Sequence, residues 1–216
     1  MSIGLDRNAL AQQLDQLVDG LAEQHFGLVD NFFTGEEVDT LLNEFEAYQQ
    51  QDEFKKAGIG QQDDFQVNKK IRGDHIRWIE ESDTHLSFFA EKIRTLIDFL
   101  NQTCYLGLKD FEAHFAVYPE GTFYKRHLDQ FHQDKNRQIT ILCYLNKEWT
   151  EADGGQLRLF FPEGENEKTL DILPKAGRLL IFRSDKLEHE VLLTHKERYS
   201  IAGWLLDKPK TLSFLA

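Results

Sequence analysis

Cysteine is scarce in this chain: Cys104 and Cys143 are the only two in 216 residues. That is too few for a disulfide scaffold, and the two lack zinc-site spacing. Both are expected as reduced thiols that fill small apolar gaps. Long apolar runs are also missing; no stretch of about 18 apolar residues exists, so no transmembrane helix is expected. The opening segment, MSIGLDRNALAQQL, has no basic stretch followed by an apolar one, so no signal peptide is visible and a cytoplasmic location is expected. Positive charge is in deficit, with 25 Lys+Arg against 37 Asp+Glu and a net charge of −12. Such a chain is poorly suited to gripping phosphate backbones or an anionic membrane, so neither nucleic acid nor membrane is an expected partner. Internal repeats and low-complexity segments are absent as well.

What is present is material for a core: 41% hydrophobic residues, with 17 Phe, 6 Tyr and 3 Trp. A chain that buried nothing would not carry so many aromatics. Residues 5–24 place Leu10, Leu14, Leu17, Val18 and Leu21 at spacings of three and four, which predicts an amphipathic helix. FGLVDNFF follows as a short strand pattern. Thr34, with Glu37 three residues on, is a capping-box start for a second helix. Residues 51–75 are polar and contain glycine, and predict a loop. A third helix is expected from Ser82 to near Gly107, with Leu86, Phe89, Ile93, Leu96, Ile97 and Leu100 on one face.

Beyond residue 110 the period changes. FEAHFAVYP, TFYKRHLD, RQITILCYLN, GQLRLFF, KTLDIL, GRLLIFRS, HEVLLT and RYSIAGWLL are short, aromatic and β-branched, and Gly- or Pro-bearing turn signals separate them. Eight strands without intervening helices predict a sandwich or jelly-roll barrel. The expected architecture is mainly β with helical support (α+β), in one domain over 1–216. Residues 1–107 would form helical support and a loop, and 108–206 a jelly-roll core.

The chemistry-bearing residues lie in that β half. In His127-Leu128-Asp129, residues i and i+2 of a strand point to one face, so an imidazole and a carboxylate would converge on a metal. Alone the tripeptide is weak, since a chain with 8 histidines and many acids forms such pairs by chance. His189 in EHEV and Arg198 nine residues later strengthen it. A hairpin of 188–193 with 198–205, with Leu193 opposite Arg198, would put His189, Val191, Leu193, Arg198, Ser200, Ala202 and Trp204 on one face. His189 and Arg198 would then stand roughly 13 Å apart at about 3.3 Å per residue. A five-carbon dicarboxylate that chelates a metal at one end and meets an arginine at the other spans such a gap, and the guanidinium fork suits a carboxylate. Two His and one carboxylate with open positions match the facial triad of non-haem Fe(II) oxygenases. His195, in the expected turn, competes with His189. His132 reads as a loop residue, and His25, His75, His85 and His114 as surface or structural residues.

From about Asn68 to Leu205 the segments IRGDHIRWIE, YPEGTFYKRHLD, RQITILCYLNKEW, GGQLRLFFPEG, LPKAGRLLIFRSDKLEHEV and RYSIAGW occur in order. Together they resemble the 2-oxoglutarate- and Fe(II)-dependent prolyl 4-hydroxylases, in the branch of the hypoxia-inducible-factor prolyl hydroxylases and their bacterial relatives. The resemblance implies a double-stranded β-helix and a dioxygenase that uses Fe(II), 2-oxoglutarate, O2 and ascorbate. It implies His127, Asp129 and His189 as iron ligands, and Arg198 and Tyr144 as partners of the 2-oxoglutarate C5 carboxylate. Tyr118 would lie near the co-substrate and iron, and Arg137 and Trp204 at the active-site mouth. Arg72, Asp74 and Trp78 would belong to a mobile loop that folds over a proline-containing protein or peptide, such as elongation factor Tu. Ala202 departs from a threonine and Cys143 from an aromatic residue in this branch. A monomer or weak homodimer is expected. Competing readings are the same chemistry on a free amino acid or other small molecule, a nucleic-acid dealkylase, and a non-catalytic jelly-roll sensor of oxygen or 2-oxoglutarate.

Overall fold

The computed structural model describes residues 7–57, 71–130, 135–163 and 166–209. Three helices lie in the first half: α1 (Arg7–Gln24), α2 (Gly35–Gln50) and α3 (Ser87–Cys104). Eleven strands follow in chain order: β1 (Phe26–Val29), β2 (Lys55–Lys56), β3 (His75–Trp78), β4 (Asp110–Tyr118), β5 (Tyr124–His127) and β6 (Arg137–Tyr144), then β7 (Leu157–Glu163), β8 (Asn166–Ile172), β9 (Leu179–Arg183), β10 (His189–Val191) and β11 (Arg198–Leu206).

The capping box forms as its spacing predicts. The Thr34 hydroxyl accepts from the Glu37 backbone N–H, and the Glu37 carboxylate accepts from the Thr34 N–H at 2.7 Å. That carboxylate also takes a 2.6 Å hydrogen bond from Lys92 Nζ of α3, so the cap ties two helices together. The third helix starts later than Ser82, because a short 3-10 turn over Thr84–Leu86 precedes it. Its predicted stripe is buried in full: Leu86, Phe89, Ile93, Leu96, Ile97 and Leu100. β1 lies so close to α1 that a Cβ on Gly27 would collide with the Leu17 carbonyl oxygen, which requires glycine there.

All eight strands expected after residue 110 form, and they divide into two sheets. One has seven strands in the order β1-β9-β6-β11-β4-β3-β2, and the other has four in the order β5-β10-β7-β8. This is a double-stranded β-helix flanked by N-terminal helices. The first half is less purely helical than its periodicity suggests, since β1, β2 and β3 extend both edges of the larger sheet. Strand alternation splits the larger sheet into two chemistries. Phe115, Val117, Ile139, Ile141, Cys143, Ile181, Ile201 and Leu205 face the helices and form the main core. Ala116, Tyr118, Leu142, Tyr144, Leu180, Phe182 and Ala202 face the smaller sheet. The functional pocket opens in that inter-sheet space.

The expected hairpin between residues 188–193 and 198–205 does not form. β10 pairs with β5 and β7 in the smaller sheet, while β11 pairs with β4 and β6 in the larger one. Residues 192–195 cross from one sheet to the other. Leu192 N–H donates to Gln156, and Thr194 N–H donates to Thr122. Leu193 is accordingly exposed, not opposite Arg198.

Candidate active site

A cavity of about 190 Å³ lies between the sheets. Its floor is read off the registers. β4 contributes His114, Ala116 and Tyr118; β11 contributes Arg198, Ser200, Ala202 and Trp204; β6 contributes Thr140 and Leu142. Arg198 stands across from Tyr118, Ala202 from His114, and Trp204 from both Glu112 and Thr140. The face parity expected along β11 is therefore correct, although the hairpin used to reach it is not. His189 and Arg198 approach the cavity from opposite sheets.

At one end His127, Asp129 and His189 bring one ligand atom each within 4.8 Å of one another. His127 and His189 face each other across the β5–β10 pairing, with ring centroids 4.3 Å apart. Asp129 does not share a strand face with His127, as the i, i+2 spacing suggests, because β5 ends at His127. A bend carries the chain back, fixed by a hydrogen bond from Gln130 N–H to the Ser184 carbonyl. Thr140 Oγ1 then donates to Asp129 Oδ2 at 2.7 Å and aims the carboxylate. Each histidine has its Nδ1 against a main-chain carbonyl, Lys125 at 2.7 Å and Leu187 at 3.2 Å. A carbonyl only accepts, so Nδ1 carries the proton and the Nε2 lone pair faces the other ligands, as metal-binding imidazoles require. Nε2 of His127 and of His189 lie 3.4 and 3.6 Å from the Asp129 oxygens.

The charge states suit a divalent cation. Burial pushes His189 down to about 4, so its imidazole is neutral near pH 7. Burial works against ionising Asp129, yet His189, His127 and the Thr140 hydroxyl together hold its carboxyl well below the usual carboxylate range. Two imidazole nitrogens and one anionic oxygen, with room left around them, fit Fe(II).

At the other end Arg198 is only 1% exposed. Its Nε donates to the Gly155 carbonyl at 2.9 Å, and Nη1 to the Ser200 hydroxyl at 3.2 Å. Gly155 has φ +64, and a Cβ there would press on the Arg198 side chain, so the turn needs glycine. The guanidinium stands 5.0 Å from the Tyr118 ring and 5.3 Å from the Tyr144 ring. Arg198 Nη2 and the Tyr144 hydroxyl are both buried without a hydrogen-bond partner. Among the described residues no carboxylate pairs with this cation. A buried arginine beside an unsatisfied hydroxyl is costly unless an anion completes it, and a carboxylate does so with two oxygens. Burial also pushes the Tyr144 hydroxyl up to about 12, so it stays protonated and donates. The surface ion pair that Arg198 could have made with Glu190 or Glu197 does not form; Glu190 approaches Arg158, and Glu197 accepts from Tyr199.

The remaining expected residues form the wall and the mouth. Arg72 and Asp74 line the cavity as a bidentate pair at 2.6 and 2.7 Å. Residues 71–73 are bonded to the β5 region through Lys125 N–H to Ile71 and Gly73 N–H to Phe123. Residues 58–70 of the expected 51–75 loop lie outside the described residues, as does His132. Trp78 is 36% exposed at the mouth. Arg137 lies over the Trp204 ring at 3.5 Å and pairs with Glu112 at 2.7 Å. His195 is exposed in the turn and outside the triad. His25 and His85 are exposed and His75 is half-buried on β3. Cys143 faces the helix-side core, so its departure from the branch pattern does not reach the cavity, whereas Ala202 lines it.

Two polar lining residues, Tyr124 and Thr140, went unnoticed in the sequence, and a third, His114, was read there only as surface or structural. Tyr124 stacks on the His127 ring at 3.7 Å, with Arg72 over its other face at 4.6 Å. Thr140 shares the parity of Tyr144, and His114 that of Tyr118, so alternation carried the signal for both. His114 is not a surface residue; it is buried to 2% on the cavity floor.

Residues 113–206 match the 2OG-Fe(II) oxygenase superfamily. The chain is 36% identical to a Pseudomonas putida prolyl-4-hydroxylase structure, at a TM-score of 0.81, covering 91% of this chain and 100% of that one. It is 29% identical, at a TM-score of 0.80, to a Trichoplax adhaerens prolyl hydroxylase in complex with a hypoxia-inducible-factor oxygen degradation domain peptide, covering 93% and 91%. Human prolyl hydroxylase EGLN3 is 34% identical, over 90% of this chain and 83% of that protein. Longer curated prolyl hydroxylases are matched too, and the chain spans 29% to 60% of their length. No helix among the described residues is long and apolar enough to cross a membrane. With a two-histidine, one-carboxylate cluster at one end of an inter-sheet cavity and an unpaired arginine at the other, the chain belongs to the 2-oxoglutarate- and Fe(II)-dependent prolyl 4-hydroxylase family.

Proposed function

We propose that this protein hydroxylates a prolyl residue within a polypeptide, consuming 2-oxoglutarate and O2 and releasing succinate and CO2. The observation that carries the reading is Arg198, a fully buried cation with a free Nη2 beside the free Tyr144 hydroxyl, in the same cavity as the His127–Asp129–His189 cluster. Iron with 2-oxoglutarate and O2 supplies the oxidation of a C–H bond. The chain's own residues arrange everything else. His127, Asp129 and His189 hold the metal, and the Thr140 hydroxyl and two main-chain carbonyls fix how they point. Arg198, Ser200 and Tyr144 receive the C5 carboxylate, so the co-substrate lies along the cavity floor with its reactive end toward the metal. Leu142, Leu157, Val191 and Ala202 line the rest with apolar surface. Trp78, Arg137 and Trp204 shape the mouth, and the Arg72–Asp74 pair closes the wall beside it.

A polypeptide substrate is favoured over a free amino acid because Trp78, Trp204 and Arg137 frame the mouth, and because a similar prolyl hydroxylase is seen in complex with a peptide. The test is anaerobic reconstitution with Fe(II) and 2-oxoglutarate, admission of air in the presence of proline-containing peptides and elongation factor Tu, and mass spectrometry. A gain of one oxygen atom on a single proline, with one succinate per event, is the expected result. Conversion of free proline with no modified polypeptide would overturn the reading.

A further inference from the structure

Two polar groups in the outer half of the cavity have no role in holding metal or co-substrate. They are His114 Nδ1 and Trp204 Nε1, both buried and both without a hydrogen-bond partner. They are neighbours: His114 stands opposite Ala202 on the β4–β11 ladder, and Trp204 lies two residues further along β11. Their rings are 5.6 Å apart at 39°, and Trp78 completes a three-ring cluster, 4.9 Å from His114 edge-on and 6.3 Å from Trp204. The three rings wall a slot in the cavity with two unsatisfied in-plane nitrogens, and an unmet buried polar atom is costly.

Their chemistry limits what can fill the slot. An indole N–H only donates, so Trp204 needs an acceptor. Burial, aided by the cations Arg72 and Arg137, pushes His114 down to about 3, against the smaller opposing effects of Asp74 and Asp129. It is therefore neutral and has one nitrogen able to accept. One donor and one acceptor side by side are the complement of the N–H and C=O of one extended residue, which point to the same side of the chain, whereas those of a single trans peptide group point opposite ways. A free carboxylate would need two donors or a cation, and the nearby cations are already paired, Arg72 with Asp74 and Arg137 with Glu112. A prolyl residue has no N–H of its own, so the first available donor is the N–H of the residue that follows it.

We propose that His114 and the Trp204 indole bind the N–H and C=O of the residue that follows the target proline, which makes His114 a specificity-determining residue for internal prolyl sites over free or C-terminal proline. This rests on the prolyl-hydroxylase reading and deepens it. His114 accepts from the N–H of the residue after proline, and Trp204 N–H donates to the carbonyl of that same residue.

The experiment uses Fe(II)- and 2-oxoglutarate-loaded enzyme without air, and measures peptide affinity by calorimetry. Two peptides are compared: a blocked proline peptide and its depsipeptide, in which an ester oxygen replaces the N–H after proline. Wild type should bind the depsipeptide about 5- to 100-fold more weakly. His114→Leu should lose a similar factor for the amide peptide and discriminate little between the two, while His114→Gln should recover part of the loss. Circular dichroism and thermal unfolding check that the variants fold. If His114→Leu does not fold, wild type alone decides, and less than a twofold penalty for the ester overturns the proposal. Equal amide–ester discrimination in wild type and His114→Leu also overturns it. A wild type that hydroxylates no prolyl polypeptide at all would instead overturn the function on which the proposal rests.

Discussion

Replacing Arg198 with methionine separates folding from co-substrate binding. Methionine is unbranched and flexible enough to fill the channel that the arginine stem occupies. The substitution strands two acceptors, the Gly155 carbonyl and the Ser200 hydroxyl, at a cost of about 1–3 kcal/mol. It also removes a cation that is 1% exposed and has no anionic partner among the described residues. A buried unpaired ion costs several kcal/mol, so without 2-oxoglutarate the variant should be as stable as wild type or more so. Co-substrate binding should weaken by about 2–5 kcal/mol, the cost of truncating one partner of a buried charge pair. That is roughly a 30- to several-thousand-fold rise in Kd. The assay is thermal unfolding of anaerobic Fe(II)-loaded protein with and without 2-oxoglutarate. At about 100 times its Kd the ligand should stabilise wild type by about 2.7 kcal/mol, a Tm rise of roughly 5–10 °C for a domain of this size. At that concentration the variant should rise by less than about 3 °C. Arg198→Lys should recover part of the shift as a point charge without the fork. A full ligand-induced rise in Arg198→Met would refute the assignment of this residue to the carboxylate. A large loss of stability without ligand would show that the arginine serves the fold instead.

Further outcomes follow from the same geometry. Asp129→Ala should abolish iron binding and succinate formation in a folded protein, whereas His195→Ala, outside the cluster, should leave iron binding unchanged; anaerobic iron titration distinguishes them. His114 also predicts a pH effect on stability: burial, with Arg72 and Arg137 adding to it, lowers its pKa from 6.5 to about 3. Between those values the unfolded chain takes up a proton that the folded chain refuses, so stability falls as pH drops below about 6.5. Metal-free wild type should therefore lose about 2 kcal/mol more than His114→Gln between pH 7.5 and 5, read by urea unfolding, and equal losses would contradict the neutral buried imidazole.

Local alternation made much of this site readable from the sequence, and non-local pairing hid the rest. The eight strands after residue 110 were legible because period-two patterning and turn residues are local signals. The Thr34–Glu37 cap and the α3 stripe were legible for the same reason. The partner of β10 was not. A short polar turn between two strand patterns favours a hairpin, but Thr194 crosses between sheets, and only tertiary contacts with Thr122 and Gln156 show this. Asp129 reaches the triad through a bend after β5 that the tripeptide does not encode. β2 and β3 are short strands at one end of the larger sheet, β3 held by β4 and β2 by β3, with too few residues to show a period. His114 was read only as surface or structural because a lone histidine between two apolar residues says nothing about burial, although its parity with Tyr118 was visible.

Parity in fact does more than place strands here. On β6 the chain alternates Thr140, Leu142 and Tyr144 toward the smaller sheet with Ile139, Ile141 and Cys143 toward the helices. A one-residue slip of that strand would turn the whole set over. Cys143 would then meet the co-substrate carboxylate, Tyr144 would sit beneath the helices, and Asp129 would lose the Thr140 hydroxyl that aims it. The apolar residues that fix the register against α3 are thus the same ones that hold the hydroxyls of the site in place. Substitutions on the helix side of β6, far from any substrate, should act on co-substrate affinity through register before they act through unfolding.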